Sequence, residues 1–116
     1  MKQKPLIPSL REKKRYVAYE VISDSDFDAK EVSAKIADSF KDLFGDKGLA
    51  DAGLIFLDDK FDKKTKRGLV RVSHDSLDDL RSSFVFIRDI NGKRSIVRSV
   101  IASGMIAKAE NVLSAS

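Results

Sequence analysis

Two features of the sequence are of the kind that active sites use: the adjacent carboxylates Asp58-Asp59 and the only histidine, His74. Paired carboxylates can bind Mg²⁺ or share a proton, and histidine is a common general base. Neighbouring residues of a strand point to opposite faces, however, so Asp58 and Asp59 cannot easily converge on one ion. We expect this pair to end a strand and to form ion pairs with lysines of the next loop, and we expect His74 to be structural.

Other signatures of catalysis or cofactor binding are missing from the sequence. There is no cysteine, which excludes a disulfide scaffold, a thiolate metal site and a cysteine nucleophile. No Ser-His-Asp spacing, P-loop or Gly-rich phosphate motif occurs. We therefore predict no catalytic residue, and no metal or cofactor bound by the protein itself. The apolar runs are too short to span a bilayer and the N-terminus lacks a signal-peptide stretch, so we expect a cytoplasmic protein.

Positive charge is the stronger functional signal, because it is clustered. Residues 1–15 carry six Lys/Arg against one acid and residues 60–116 carry twelve against six, whereas residues 20–59 carry four against eleven. Clustered cations neutralise phosphates and release counterions, which gives a salt-dependent affinity for nucleic acid. We predict RNA contacts for the following residues: Arg11, Lys13, Lys14, Arg15, Lys63, Lys64, Lys66, Arg67, Arg71, Arg94 and Arg98.

The hydrophobic pattern predicts the elements that must position these side chains. Strands are predicted at residues 16–22, 52–59, 67–73 and 93–103, and helices at 27–44, from 74 to the Asn91-Gly92 pair, and at 105–113. The order β-α-β-β-α-β is the ferredoxin-like arrangement, an α+β fold in which a four-stranded antiparallel sheet carries both helices on one face. We expect residues 1–10 to form a flexible arm, and residues 11–116 to form one domain with a short C-terminal helix.

Local signals predict where the helices begin and end. Ser25 or Asp26 is expected to cap the first helix, and Gly45 to end it in a left-handed conformation. The Asn91-Gly92 pair is expected to stop the second helix. Three residues of the C-terminal helix are expected to face inward: Ile106, Val112 and Leu113.

The predicted arrangement is also that of an RNA-recognition motif, but one feature of that motif is absent. An RNA-recognition motif stacks bases on aromatic side chains of its third strand. Here Lys66-Arg67-Gly68 is followed by Leu69 and Val70, and no aromatic residue comes after them in the strand. The partly apolar face of the sheet therefore needs a cover, either the C-terminal helix or a partner protein. We predict the following protein-interface residues: Tyr16, Leu69, Ile96 and Val100.

Four segments of the chain resemble a known family. They are "LREKKRYVAYEV", "DLFGDKGLADAGLIFLD", "RGLVRVSHDSLDDLRSSFVFI" and the late "SGMI". In order and spacing they are similar to the Pop-five family, the family of archaeal ribonuclease P protein component 2. The similarity extends from about Pro8 to Leu113. The resemblance implies a subunit of the ribonucleoprotein that removes the 5′ leader from precursor tRNA, with catalysis by the RNA and Mg²⁺ at the RNA active site.

The resemblance also implies partners. These are ribonuclease P RNA, ribonuclease P protein component 3 in a heterotetramer of two pairs, other protein subunits of the enzyme, and precursor tRNA as its substrate. The residues alone leave two alternatives open: another RNA-binding protein of this fold, such as a ribosomal protein, or a small-molecule regulatory domain. A nuclease acting by itself is disfavoured, because no cluster of acids converges.

Overall fold

The computed structural model describes residues 13–115, and Arg11 and the predicted arm at residues 1–10 lie outside that range. The elements follow in this order: β1 (Lys14–Ile22), α1 (Ala29–Ala52), β2 (Ile55–Phe56), β3 (Arg67–Ser73), α2 (Leu77–Val85), β4 (Asp89–Ile90), β5 (Lys93–Arg94), β6 (Ile96–Ser103) and α3 (Ile106–Glu110). Short 3-10 turns occupy Asp58–Lys60 and His74–Ser76. None of the helices within residues 13–115 is long and apolar enough to cross a membrane.

Four of the strands form one antiparallel sheet in the order β2-β3-β1-β6. With both long helices this is the expected α+β, ferredoxin-like architecture, so the predicted fold is confirmed. The central pair is β1 with β3, in a register that places Tyr16 opposite Arg71 and Glu20 opposite Arg67. Strand β6 forms one edge of the sheet, and the two-residue β2 forms the other edge.

Alternation along β1 divides the interior into two apolar clusters. Val17, Tyr19 and Val21 are buried with residues of α1 and α2 in the main core, as the period of two predicts. Ser39 Oγ of α1 donates a hydrogen bond of 2.8 Å to the carbonyl oxygen of Ser83 in α2, so these small residues allow the two helices to lie close together. The opposite face of β1 contributes Ala18 to the second cluster.

The second cluster forms because α3 covers the face of the sheet that carries no long helix. Ala109 and Leu113 are buried there against Ala18 and Leu69. The predicted inward position of Ile106 is wrong, because its side chain is 38% exposed and Ala109 takes the place against the sheet. The need for a cover on this face is therefore met at least in part from within the chain.

Helix α1 differs from the prediction at both ends. It begins after Asp28, whose backbone N–H donates a hydrogen bond of 2.9 Å to Glu31 Oε1, and not after Ser25 or Asp26. Gly45 has a positive φ of 76°, as expected for a glycine, but the chain resumes the helix there instead of ending it. The helix ends at Gly53, after Ala52 has been buried in the core.

The segment between α2 and β6 contains a hairpin that the hydrophobic pattern did not predict. Asn91 and Gly92 have φ values of 54° and 81° and form the turn of the β4–β5 hairpin. Such a pair favours a two-residue hairpin turn, which is why the prediction that it stops a helix is wrong. The predicted strand 93–103 is likewise interrupted at the buried Ser95, whose N–H donates to the carbonyl oxygen of Arg88 at 2.9 Å.

Candidate nucleic-acid interface

The two features that suggested active-site chemistry have structural roles in the fold. His74 lies in a 3-10 turn, with Nε2 3.0 Å from Oδ1 of its neighbour Asp75, and its side chain is 38% exposed. Asp58 and Asp59 lie in the 3-10 turn after β2 rather than in a strand. Within residues 13–115, no group of three or more His, Asp or Glu side chains could hold a metal ion.

Asp58 accepts a hydrogen bond from Ser33 Oγ, next to the buried Tyr19. Burial and then the negative charge of Asp58 raise the pKa of Tyr19, and a hydrogen bond with Ser33 opposes them. Asp58 is thereby part of the packing between α1 and the sheet. The ion pair that we expected between Asp58 and a lysine of the next loop is not formed within residues 13–115. Lys60 Nζ lies 2.9 Å from Glu110 Oε2 and ties the loop to α3.

The predicted RNA-binding residues at the start of β1 lie at one end of the sheet. Lys13 is exposed, and its carbonyl oxygen accepts a hydrogen bond of 2.9 Å from the His74 N–H. Arg15 is half-buried, and its Nη1 donates to the carbonyl oxygen of Lys14 at 3.0 Å. Because the backbone here is held by pairing with Ser73 and Ser103, the cations project from a fixed strand end.

The basic loop before β3 presents only some of its cations to solvent. Lys63 is exposed, with Nζ 3.2 Å from Asp28 Oδ1, and Lys64 is exposed as well. Lys66 points the other way: its side chain is 19% exposed and Nζ donates a hydrogen bond of 2.6 Å to the carbonyl oxygen of Ser23. Lys63 and Lys64 are therefore the exposed cations of this loop, although a phosphate would have to displace Asp28 from Lys63, while Lys66 holds the loop against β1.

Arg67 and Arg98 share one carboxylate. Glu20 Oε2 lies 3.4 Å from Arg67 Nε, and Glu20 Oε1 lies 2.7 Å from Arg98 Nε. Burial would raise the pKa of Glu20, but the hydrogen bond and charge of Arg98, together with those of Arg67, lower it. Arg67 Nη1 also donates to the carbonyl oxygens of Val112 and Ala115, at 2.6 and 2.9 Å, and so anchors the segment after α3.

The last two predicted cations lie on different parts of the sheet surface. Arg71 is on the same face as its cross-strand neighbours Tyr16 and Ile55, and its Nε is buried without a hydrogen-bond partner in the described range. Arg94 is exposed at the end of the β4–β5 hairpin. The hairpin is held by a 2.7 Å hydrogen bond from Ser23 Oγ to the Arg94 carbonyl oxygen.

The predicted cations therefore form two groups rather than one patch. Lys13–Arg15 lie at the start of β1, whereas the loop cations, Arg94 and Arg98 lie near its other end. With a rise of about 3.3 Å per residue, the two ends of β1 are ~26 Å apart. One phosphate cannot contact both groups, so they suit an extended polyanion.

The predicted protein-interface residues are also divided. Leu69 is 1% exposed, and Tyr16 and Val100 pack with it in the cluster under α3, so Leu69 cannot contact a partner while α3 is in place. Ile96, the first residue of β6, is 58% exposed. Val85 and Phe86, which are 74% and 62% exposed, were not predicted. The run Phe84–Ile87 could have indicated these exposed side chains, because four consecutive apolar residues cannot all lie on one helix face.

The chain is similar in sequence to one protein family and to several of its members. The Rpp14/Pop5 family matches residues 15–114. Ribonuclease P protein component 2 of Pyrococcus abyssi is 41% identical over 108 residues, covering 93% of this chain and 90% of that protein. The Methanosarcina mazei protein of the same name is 32% identical over 106 residues, covering 91% and 88%.

A solved structure shares the fold. The match is a chain of the cryo-EM structure of yeast ribonuclease MRP, with a TM-score of 0.66 at 18% sequence identity. It covers 83% of this chain and 77% of the matched chain. At that identity the similarity establishes the fold alone.

Proposed function

Because the chain belongs to the Rpp14/Pop5 family and is a protein subunit of ribonuclease P, we propose that it binds the backbone of the enzyme's RNA and leaves phosphodiester cleavage to that RNA. The observation that carries the assignment is the family match, which spans residues 15–114. The relative from Pyrococcus abyssi covers nearly the whole chain, so the similarity is not confined to one motif.

In this proposal the protein has no catalytic group and binds no cofactor of its own, and Mg²⁺ acts at the RNA active site. The two candidate features support this division of labour. His74 is engaged with its neighbour Asp75, and Asp58 is engaged with Ser33. The Ser33 hydroxyl that faces Asp58 is buried, and His74 faces a carboxylate, so neither pair presents a nucleophile to a substrate.

The exposed cations are proposed to make the RNA contacts. Lys13, Lys63 and Lys64 reach solvent from elements whose backbone is held by hydrogen bonds. Several such contacts supply affinity through counterion release without reading sequence. Arg67 and Arg98 contribute less in this scheme, because Glu20 already neutralises part of their charge.

We further propose that the chain works with ribonuclease P protein component 3 in a heterotetramer of two pairs, in the cytoplasm, with other protein subunits and precursor tRNA. The support is the family membership, together with exposed apolar side chains such as Phe86 and Ile96. Exposed apolar surface of this kind is typical of a subunit within a larger assembly.

Reconstitution tests this function. The catalytic RNA is mixed with the full chain and with component 3, singly and together, and cleavage of the 5′ leader is measured at limiting Mg²⁺. We expect the two proteins together to raise the cleavage rate above that of the RNA alone, because neutralised phosphates lower the Mg²⁺ needed for folding. No gain in rate at any Mg²⁺ concentration would refute the assignment, as would cleavage by the protein without RNA.

A further inference from the structure

An apolar groove lies between the end of α2 and the start of β6, and it includes Arg94 and Ile96 of the surface described above. Its volume is about 600 Å³, and its apolar lining includes Val85, Ile87, Ile96 and Val97. Arg88 and Arg94 complete the lining as its charged members. Strand β6 is an edge strand of the four-stranded sheet, and Arg94 of the β4–β5 hairpin adjoins its first residues in the groove lining.

The groove is accompanied by apolar side chains that project into solvent. Val85 is 74% exposed, Phe86 62% and Ile96 58%, although residues of these types are normally buried. Phe86 lines a neighbouring hollow together with Leu43. Contiguous exposure of this kind is a property of interaction surfaces, because leaving it in water is unfavourable.

The two arginines of the groove have no ion-pair partner in the described part of the chain. Neither Arg88 nor Arg94 forms a side-chain hydrogen bond or ion pair with any residue in 13–115. Arg98, by contrast, is bound to Glu20 at 2.7 Å. A segment that fills the groove therefore meets two uncompensated guanidinium groups, which favour carboxylates through paired hydrogen bonds.

The polar groups of the groove floor are already satisfied. Ser95 is buried, its N–H donates to the Arg88 carbonyl oxygen at 2.9 Å, and its Oγ donates to the Lys93 carbonyl oxygen at 2.9 Å. The Phe84 ring is 2% exposed and offers no face for stacking. A nucleobase on this floor would lose hydrogen bonds to water and could regain them only from the two arginines of the lining, whereas an aliphatic side chain would lose none.

We propose that this groove binds a segment of another protein subunit, one that presents apolar side chains flanked by carboxylates. The inference rests on the proposed function and deepens it, since it assigns the protein-binding surface to the α2–β6 groove and the RNA contacts to other side chains. The apolar side chains fill the floor, and the carboxylates pair with Arg88 and Arg94. Arginine and aromatic side chains in such positions dominate the energetics of many interfaces.

The test uses the full chain and the other purified ribonuclease P protein subunits of the same source, one at a time and without RNA. Isothermal titration calorimetry measures each affinity for the unaltered chain, for Val85→Ser/Ile96→Ser and for Arg94→Glu, all of which alter residues of the groove lining. We expect one subunit to bind and both variants to weaken that binding at least tenfold. Lys47→Glu is the matched control, because its side chain is 89% exposed and lies away from the groove on α1.

Charge is tested separately by salt. Affinity for the bound subunit should fall with rising NaCl, and the fall should be shallower for Arg94→Glu, because this variant can form one ion pair fewer with the partner. Circular dichroism verifies that the variants fold, which is expected because the altered side chains are exposed. A salt-independent affinity would overturn the assignment of carboxylates to the partner.

Several outcomes would overturn the proposal as a whole. They are binding of no subunit by the unaltered chain, equal affinity for the groove variants, and a loss of self-association instead of subunit binding in sedimentation experiments. Weakened RNA binding with unchanged subunit binding would overturn it too, by making the groove an RNA site. Failure of RNA-dependent cleavage with groove-dependent subunit binding intact would instead refute the proposed RNA role alone.

Discussion

The predicted RNA-binding cations of this protein differ in whether their side chains already hold another part of the fold. Lys66, Arg67 and Arg98 hold backbone carbonyls or Glu20, whereas Lys63 and Lys64 project from the loop surface. The sequence pattern predicted the same role for all of them, because formal charge does not reveal a partner more than forty positions away, as with Glu20 and Arg67. Substitutions of Lys66, Arg67 and Arg98 are expected to affect folding before RNA binding.

Replacing Glu20 by Gln tests the role of the shared carboxylate. The pKa of Glu20 is lower in the folded protein than in the unfolded chain, so the carboxylate stabilises the fold above its ordinary pKa. That stabilisation disappears as the pH falls through the lowered folded value. We expect Glu20→Gln to reduce the free energy of unfolding by about 1 kcal/mol at about pH 7.

Denaturant titrations at several pH values measure this difference between Glu20→Gln and the unaltered chain. The difference should vanish at pH values well below the lowered pKa of Glu20, where both chains lack a charge at this position. An equal loss of stability at every pH would mean that the side chain acts through packing and not through its charge.

Gly68 is expected to tolerate no side chain. A Cβ at this position would collide with Tyr19 Oη and lie 2.9 Å from Phe61 Cδ1, and the Tyr19 ring is buried and cannot move aside. Gly68→Ala should therefore lower the free energy of unfolding by about 1–3 kcal/mol in urea titrations. Gly104→Ala is the control, since its Cβ would meet Arg15 Nη1 at an ordinary 3.5 Å. Equal stability of the two variants would contradict this close packing of Tyr19 on the strand.

At the scale of elements, the strongly periodic segments were predicted well and the junctions were not. The alternation in β1 and β3 and the apolar stripe of α1 predicted the sheet and the core correctly, because many residues contribute to each pattern. The continuation of α1 past Gly45 depends on the burial of Ala52, and the β4–β5 hairpin on contacts such as that between Asn91 and Glu31. Such contacts join distant parts of the chain and leave no local signal, although the Asn91-Gly92 pair is itself a local signal for the hairpin turn.

The C-terminal helix is expected to be a separable element, because it is short and covers one face of the sheet. Leu113 is 7% exposed and packs against the second cluster, so Leu113→Ala should lower the free energy that keeps α3 docked by about 2 kcal/mol. Hydrogen exchange is the measurement: the amides of α3 should exchange faster, with little change in β1 and β3. Ser114→Ala, at an exposed neighbour, should leave exchange unchanged. Faster exchange in all elements would show that α3 is part of the global unfolding unit.

At the scale of the whole molecule, the cations lie at two sheet ends and the apolar groove lies beside one of them. The two ends of β1 are ~26 Å apart, so substitutions there share no partners and their effects should add. This arrangement suits a subunit that spans a folded RNA and presents a separate surface to protein. The sequence indicated the charge clusters, but it could not indicate the distance between them.

The distance between the cations at the two ends of β1 leads to a quantitative expectation for RNA binding. Lys13→Glu at one end and Lys63→Glu/Lys64→Glu at the other should each reduce the slope of log affinity against log salt, by roughly one unit for each phosphate that is no longer neutralised. The combined variant should show the sum of both reductions. Filter binding to ribonuclease P RNA at several salt concentrations measures the slopes, with Lys47→Glu as control. A slope that none of these changes alters would show that the exposed lysines merely solvate the surface.

The order of the elements, the two faces of β1, the absence of cysteine chemistry and the family could all be inferred from the amino-acid sequence, because each follows from patterns spread over many residues. Three-dimensional packing was needed to learn which cations reach solvent, that α3 buries Leu69, and that Val85 and Ile96 meet beside Arg88 and Arg94. Exposure and pairing depend on neighbours in space. Those neighbours are brought together from positions far apart in the chain, so no local periodicity indicates them.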